Sequence, residues 1–239
     1  MKYVLNGVEG ETTVAEHDYL TLPKQQHTRL GIFYSNNNND RINQAALEAL
    51  ESAALGKADI LTCTWKPIPG NPFPEITAMT QHPHHLNIII QILQLLYRAQ
   101  HTGTYGYVSM VEHDVLHPEG YFDFPDFNSG VLYNTNFKGV CREGYQDYAH
   151  FHKSLPLHQM TLRFRDTIAH FEQLIPWAMR HGQVILEPAW PVMKWASRYP
   201  AVHVNHGKNF TSHCGLYTAA THETDPYWGD YRRLEIFEA

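Results

Sequence analysis

The most informative stretch of the chain is the triplet Glu112-His113-Asp114, which follows the apolar and β-branched run of residues 105–111. Such a run predicts a buried strand, so the triplet falls where the strand ends. Two acids separated by one residue point to the same side, and both can approach one ion. Carboxylate oxygens suit hard ions such as Mg²⁺ and Mn²⁺. The alternative is an exposed strand end with two solvated acids.

The elements that must position this triplet alternate between strands and helices. Residues 30–34 and 58–64 predict strands, and the alanine-rich face of residues 42–53 predicts a helix between them. A second helix, residues 83–100, is apolar nearly all round and is therefore expected to be covered on several sides. This order indicates a parallel α/β sheet, in which ligands bind outside the carboxyl ends of the strands.

The second half of the chain is less regular. Residues 130–134, 184–187 and 201–205 predict further strands. Residues 158–175 predict an amphipathic helix. The apolar positions that support this prediction are Met160, Leu162, Phe164, Ile168, Phe171 and Leu174.

The order of these elements, with the Asn-rich turn SNNNND and the Pro-rich segment 67–80, resembles the GT-A family of nucleotide-sugar glycosyltransferases. The segment EHDVLHPEGYF is similar to the sequence around the acid motif in bacterial and phage members. The resemblance covers about residues 28–215. It implies a GT-A-like, Rossmann-type α/β fold with a mixed, mostly parallel central sheet flanked by helices. It also implies a hexosyl- or pentosyltransferase that moves a sugar from a nucleotide-diphosphate donor, most often a UDP-sugar, to an acceptor hydroxyl.

The resemblance further implies a bound Mn²⁺ or Mg²⁺. Asp114 matches the position that usually binds the ion. Glu112 stands where the family most often has aspartate, which leaves open whether it touches the metal, the ribose or a water. A histidine after the last strand is implied to complete the metal site; His206 is the better candidate by motif position, since His203 alternates into the strand.

The loop that contains His206 also carries groups suited to a diphosphate. Lys208 could neutralise the departing diphosphate, and Asn209 and Thr211 could donate hydrogen bonds to it. The alternative is a glycine turn with exposed polar residues. We expect one domain over residues 1–239, with the nucleotide-sugar and metal half at about 28–125 and the acceptor half, including this loop, at about 126–239.

In this architecture the first strand ends at the base and ribose of the nucleotide. Tyr34 could stack on a pyrimidine, and Asn36, next to Ser35, could hydrogen-bond its edge. Lys66, after the second strand, could also approach the nucleotide. The alternative is that SNNNND is only a turn with a helix cap, and that Lys66 is an ordinary exposed lysine.

An inverting transferase needs a carboxylate or histidine that takes the proton of the acceptor hydroxyl, whereas a retaining one needs no such strong base because the leaving-group oxygen can assist. The sequence does not decide between these two outcomes. The candidates are Glu143, Asp147, Asp166 and Glu187, and the sequence does not choose among them. Glu187 ends a predicted strand and is the first to test, followed by Asp147.

Composition restricts the partners and the compartment. The formal net charge of −6 provides no general attraction to DNA or to anionic membranes. A hydroxymethylated DNA base as acceptor would need a local basic groove. The lysines and arginines that could form it are Lys138, Arg142, Lys153, Arg163 and Arg165. The three cysteines form no disulfide pattern, and the amino terminus has no long apolar run. We therefore expect the cytoplasm of a bacterium or of a phage-infected cell.

Two other functions remain open from the sequence. A His-rich metallohydrolase could use residues 81–85 together with His203 and His206, although no familiar zinc motif is present. A non-catalytic sugar- or nucleotide-binding module would keep aromatic residues such as Trp190 and Trp195 but would not need both acids.

Overall fold

A computed structural model of the chain describes residues 2–5, 8–11, 28–37, 39–79, 85–141, 144–146, 155–204 and 224–230. Its helices are α1 (Asp40–Ala54), α2 (His85–Thr102) and α3 (Phe164–His181), with a 3₁₀ turn at Leu157–Gln159. Its strands are β1 (Lys2–Leu5), β2 (Val8–Glu11), β3 (Arg29–Ser35), β4 (Asp59–Thr64), β5 (Glu75–Thr77), β6 (Tyr107–Glu112), β7 (Val115–Leu116), β8 (Val131–Asn134), β9 (Phe137–Cys141), β10 (Gly144–Gln146), β11 (Met160–Arg163), β12 (Val192–Trp195), β13 (Ala201–Val204), β14 (Thr224–Asp225) and β15 (Gly229–Asp230).

The main sheet contains seven strands in the order β12-β8-β11-β6-β3-β4-β5. All neighbouring pairs are parallel except the two that β11 makes with β8 and β6. The central strands β3, β4 and β6 are almost wholly buried, as expected for parallel strands covered on both faces. The predicted fold class, a mixed and mostly parallel sheet flanked by helices, is therefore confirmed.

The helices divide between the two faces of this sheet. Side chains alternate along β3, so Ile32 packs in the cluster formed with α2 and α3, whereas Phe33 packs in the cluster formed with α1. Helix α1 begins where the Asn-rich turn predicts a cap: the Asn39 side chain accepts a hydrogen bond from the Ile42 N–H at 3.2 Å.

A second sheet has four strands in the order β10-β9-β13-β7. All four strands come after the acid triplet in the sequence. Strand β7 starts directly after the triplet and pairs antiparallel with β13, with Val115 opposite His203. The backbone N–H of Val204 donates to the Asp114 carbonyl oxygen at 2.7 Å. This pairing fixes the turn after β6 against β13 and brings a histidine of β13 to the acids.

Two predicted elements differ from the structure. The helix predicted over residues 158–175 begins only at Phe164, because Met160 and Leu162 alternate with period two and form the strand β11. Residues 184–187 form no strand; they run past α2 and α3, where His85 Nδ1 lies 2.6 Å from the Val184 carbonyl oxygen. No described helix is both long and apolar enough to cross a membrane.

Candidate functional site

The site lies at the edge of the main sheet where the parallel strands β3, β4 and β6 end. Register places Tyr34 of β3 directly beside Glu112 of β6, and Ser35 beside Thr64 of β4. Because neighbouring parallel strands end at the same edge, their last side chains form one polar surface, which is where open α/β sheets bind ligands.

Glu112 is held at both carboxylate oxygens. The Tyr34 hydroxyl donates to Oε1 at 2.8 Å, and His158 Nδ1 lies 3.5 Å from Oε2. About 25% of the Glu112 side chain remains accessible. Burial is the largest influence and disfavours the charged form of Glu112. The hydrogen bond and charge of His158, with the hydrogen bond from Tyr34, together outweigh it, so the pKa of Glu112 is lowered. Glu112 therefore stands at this edge as a carboxylate.

Asp114 forms the second acid–histidine pair. Its Oδ2 lies 3.3 Å from His203 Nε2, and both side chains are buried. Despite burial, the neighbouring imidazole holds the pKa of Asp114 well below its usual range. Burial alone would lower the pKa of His203, but the charge of Asp114 and the hydrogen bond to it raise it.

The two pairs are in contact with each other through their histidines. The rings of His158 and His203 have centroids 4.9 Å apart and planes inclined at 33°. We call the five side chains Tyr34, Glu112, His158, His203 and Asp114 the acid–histidine network. It joins the ends of β3 and β6, the 3₁₀ turn and β13, four parts of the chain that are distant in sequence.

Asp114 and His203 suit a divalent cation as a partial ligand set. An imidazole nitrogen and a carboxylate oxygen that each lie about 2.0–2.2 Å from one ion, roughly at a right angle, are about 3 Å apart. The observed separation of 3.3 Å is close to that. Within the described part of the chain, however, no group of three or more His, Cys, Asp or Glu side chains is arranged to hold a metal. A further ligand would have to come from the nucleotide, water or residues outside the described ranges.

The structure thus shows His203 in contact with Asp114, a contact that we did not predict from the sequence. We predicted that His203 would alternate into the strand and that His206 would serve the ion, whereas His203 itself reaches Asp114. His206, Lys208, Asn209 and Thr211 lie outside the described residues, and their roles stay predictions.

The residues predicted to bind the nucleotide occupy different environments. Tyr34 is 4% exposed, so its ring belongs to the core and its hydroxyl supports Glu112. Ser35 is also buried, and its hydroxyl donates to Asn43 Oδ1 at 2.9 Å. Asn36 is half-buried, and Lys66 is exposed, with its ammonium 3.2 Å from Asp40. Of these, Asn36 and Lys66 are the more accessible to a ligand.

Two further polar residues shape this edge. Asn37, with φ of 52°, exchanges hydrogen bonds of 3.0 Å with the backbone of Lys66, in both directions. Gln91 of α2 donates to the carbonyl oxygens of Ser35 and Cys63, at 2.9 and 3.0 Å. Together they tie the ends of β3 and β4 to each other and to the helix beneath.

Among the candidate bases, Glu187 is half-buried and close enough to Tyr34 for its charge to contribute to the raised pKa of that tyrosine, after burial and the two acids of the triplet. Asp166 is exposed in the first turn of α3. Glu143 and Asp147 lie outside the described residues. Glu187 is therefore the described candidate whose charge reaches the network.

His158 and His117 were missed by the sequence analysis. His117 is fully buried against Tyr121, with ring centroids 4.2 Å apart, and neither ring nitrogen has a hydrogen-bond partner among the described residues. Burial lowers the pKa of His117 to about 3, and the charge of His158 adds to this. His117 lies within the segment EHDVLHPEGYF but was given no role there, and His158 sits in no recognisable motif; the 17 histidines of the chain were the only general signal.

Some of the residues behind the other hypotheses are engaged elsewhere. Arg163 donates to the Phe127 carbonyl oxygen at 3.0 Å and lies over the Tyr107 ring, so it supports a loop. Arg142 and Lys153 lie outside the described residues. Of the first histidine cluster, His85 is bonded to Val184. Trp195 is half-buried against Phe124, with ring centroids 6.0 Å apart.

Comparison with known proteins gives matches at the level of structure. No protein-family model and no curated protein matches the chain. Its structure is similar to a glycosyltransferase involved in the glycosylation of the major capsid of PBCV-1, at 10% identity and a TM-score of 0.45, over 77% of this chain and 94% of that one. It is also similar to TarS of S. aureus, at 10% identity and a TM-score of 0.45, over 74% of this chain and 36% of that one.

A third similar structure is the glycosyltransferase GlyE of Streptococcus pneumoniae TIGR4, at 10% identity and a TM-score of 0.42, over 64% of this chain and 39% of that one. The chain thus matches less than two fifths of the TarS and GlyE chains. Similarities of this degree do not show a shared activity.

Proposed function

We propose that this protein is a metal-dependent glycosyltransferase that moves a sugar from a nucleotide-diphosphate donor to an acceptor hydroxyl. The observation that carries the proposal is the convergence of Glu112, Asp114 and His203 at the carboxyl edge of a mostly parallel sheet. A buried carboxylate and imidazole beside a partly exposed carboxylate suit a site for a cation and a charged, polar ligand.

In this proposal Asp114 and His203 hold Mn²⁺ or Mg²⁺, and His206 is a further candidate ligand. The cation would supply positive charge that offsets the charge on the departing diphosphate. Lys208 and Asn209 are proposed to bind the same diphosphate, and Asn36 and Lys66 to contact the nucleotide from the ends of β3 and β4. UDP is the first nucleotide to test.

Glu112 has a different role from Asp114, because Tyr34 and His158 each contact one of its carboxylate oxygens. Its accessible surface lets it accept a hydrogen bond from the donor while the network fixes its orientation. Glu187 is proposed as the base that takes the acceptor proton, with Asp147 as the second candidate. The acceptor is a hydroxyl of a glycan, a small molecule or a hydroxymethylated DNA base.

Thermal unfolding with UDP, with Mn²⁺ and with both tests the donor and the cation. A ligand that binds only the folded protein raises its stability, by about 2.7 kcal/mol at a ligand concentration a hundred times the dissociation constant. The melting temperature rises accordingly. We expect the rise with UDP and Mn²⁺ together to exceed the sum of the separate rises. If no nucleotide diphosphate changes the melting temperature, the proposal is wrong and a hydrolase or a binding module is favoured.

Asp114→Asn tests the acid directly. We expect hydrolysis or transfer of the donor sugar to fall at least about 100-fold, because the cation loses a charged ligand. Asp59→Asn is the matched control: Asp59 is a half-buried carboxylate at the opposite end of β4, where the Tyr105 hydroxyl donates to it at 3.1 Å. Its variant should keep the activity of the unchanged protein.

A further inference from the structure

His158 occupies the centre of the acid–histidine network. Its Nδ1 lies 3.5 Å from Glu112 Oε2, and its ring lies against that of His203, with centroids 4.9 Å apart. It is 4% exposed, so little of its surface can meet a ligand. It contacts both Glu112 of the first acid–histidine pair and His203 of the second.

The surroundings of His158 fix the position of its ring. It lies in the 3₁₀ turn that leads into β11, and the Tyr121 hydroxyl donates to its carbonyl oxygen at 3.4 Å. The next residue, Gln159, accepts a hydrogen bond from the Asn134 side chain at 3.0 Å. The edge of Phe137 packs at 6.1 Å between centroids. The loop after β7 and strand β8 therefore hold the backbone of the turn, and Phe137 of β9 packs against the ring, independently of the two acids.

We infer that His158 is a positioning residue. It orients His203 so that His203 and Asp114 can bind the cation together, and it holds Glu112 in place. This inference rests on the proposed function. A ring that is itself fixed restricts the neighbouring His203 ring, and the contact with Glu112 ties the two acids to one support. Groups that orient metal ligands without touching the metal typically change metal affinity 10- to 100-fold when they are replaced.

Two substitutions separate the two contacts of His158. His158→Phe keeps an aromatic ring against His203 and removes the nitrogen that faces Glu112. His158→Asn keeps a nitrogen near the position of Nδ1 and removes the ring. His170→Asn is the control, because His170 is a half-buried histidine whose ring nitrogen lies 2.8 Å from the Leu186 carbonyl oxygen and whose ring packs on Trp190, neither of which belongs to the network.

The measurement is a Mn²⁺ titration of the protein, without and with UDP, followed by the electron paramagnetic resonance signal of free Mn²⁺, with thermal unfolding of each variant beside it. We expect each His158 variant to bind Mn²⁺ at least about 10-fold more weakly, and His170→Asn to bind as the unchanged protein does. Because UDP carries no sugar to transfer, a loss of turnover for other reasons does not enter the result.

The outcomes distinguish this inference from the function on which it rests. If the unchanged protein binds Mn²⁺ and both folded His158 variants bind it equally well, His158 is only a packed core residue and the inference is overturned, while the transferase proposal stands. If the unchanged protein binds no Mn²⁺ either alone or with UDP, both the inference and the cation part of the proposed function are overturned. If one variant does not fold, the other decides, since each removes a contact that the inference requires.

Discussion

Tyr34 and Glu112 are neighbours in the parallel register of β3 and β6, and the tyrosine hydroxyl donates a hydrogen bond of 2.8 Å to the carboxylate. Burial, followed by the charge of Glu112, raises the pKa of Tyr34 well above its usual value. The hydroxyl therefore keeps its proton and remains a donor over the whole physiological range. A core tyrosine thus orients the first acid of the triplet from the adjacent strand.

Replacing Tyr34 by phenylalanine should destabilise the protein. The buried end of Glu112 loses a donor, and a hydrogen bond to a charged group contributes about 1.5–3 kcal/mol. Because a quarter of the Glu112 side chain is accessible, water can replace part of the lost hydrogen bond. We therefore expect the free energy of unfolding, measured in urea, to fall by about 1 kcal/mol.

Tyr97→Phe is the control for this substitution. The Tyr97 hydroxyl donates to Glu172 at 2.5 Å, but that pair lies on the surface between α2 and α3. Its loss should change the free energy of unfolding by less than about 0.5 kcal/mol. Equal effects of the two substitutions would mean that the Tyr34–Glu112 bond has no special role in stability.

Gln91 should be important for the edge of the sheet. Its amide donates to two buried carbonyl oxygens, those of Ser35 and Cys63, so Gln91→Leu leaves both without that donor. Each unsatisfied buried polar group costs about 1–3 kcal/mol, and we expect a total loss of about 2–4 kcal/mol in urea unfolding. Gln44→Leu, at an exposed position of α1 where the amide bonds to Glu48, should stay within about 0.5 kcal/mol. If Gln91→Leu changes the free energy of unfolding by less than about 0.5 kcal/mol, water has replaced the two hydrogen bonds that the Gln91 amide donates.

Much of the fold could be predicted from the sequence because local pattern and tertiary structure agree in the first half. The strands at 30–34 and 58–64 and the helices at 42–53 and 83–100 were each within a few residues of β3, β4, α1 and α2. The prediction failed where one apolar pattern fits two structures: Met160, Leu162 and Phe164 recur at period two, and the helical period begins only at Phe164.

The candidate site could be predicted only in part. The acids are separated by one residue and stand at the end of a strand, so Glu112 and Asp114 could be found. His158 could not, because its contact with Glu112 depends on how β11 pairs with β6, a relationship between distant segments that no spacing in the chain reveals. His203 was seen, but its orientation depends on the pairing of β13 with β7.

His117 should make stability depend on pH in the acid range. Its pKa is about 3 in the folded protein, below the usual value of about 6.5 that we assign to the unfolded chain. Between these values the unfolded chain binds a proton that the folded protein does not, so stability falls as the pH falls below about 6.5. Above that range His117 is neutral in both states and contributes no pH dependence.

His117→Phe should remove this contribution. Neither ring nitrogen has a hydrogen-bond partner among the described residues, so phenylalanine breaks no described bond there. Between pH 7 and pH 4.5 we expect the unchanged protein to lose about 2–3 kcal/mol more stability than the variant in urea unfolding. Parallel loss of stability in both proteins over this range would show that His117 is protonated in the folded state.

A side chain at Gly31 should destabilise the protein, because β3 passes close to its neighbours there. A Cβ at this position would lie 2.5 Å from Ile60 Cδ1 and 3.1 Å from Phe122 Cζ. Gly31→Ala therefore forces Ile60 or Phe122 to move, and overpacking of this kind costs about 1–3 kcal/mol. Ile60→Val removes the Cδ1 atom and leaves a small gap, which costs about 0.5–1.5 kcal/mol by itself.

The double variant Gly31→Ala/Ile60→Val decides whether this clash is the cause. If it is, the double variant is more stable than the sum of the two single losses predicts, by at least about 0.5 kcal/mol in urea unfolding. Strictly additive losses would place the cost of Gly31→Ala at Phe122 instead. Because Arg29, two residues earlier in β3, donates to the Phe122 carbonyl at 2.9 Å, a shift of Phe122 would also loosen the loop that follows β7.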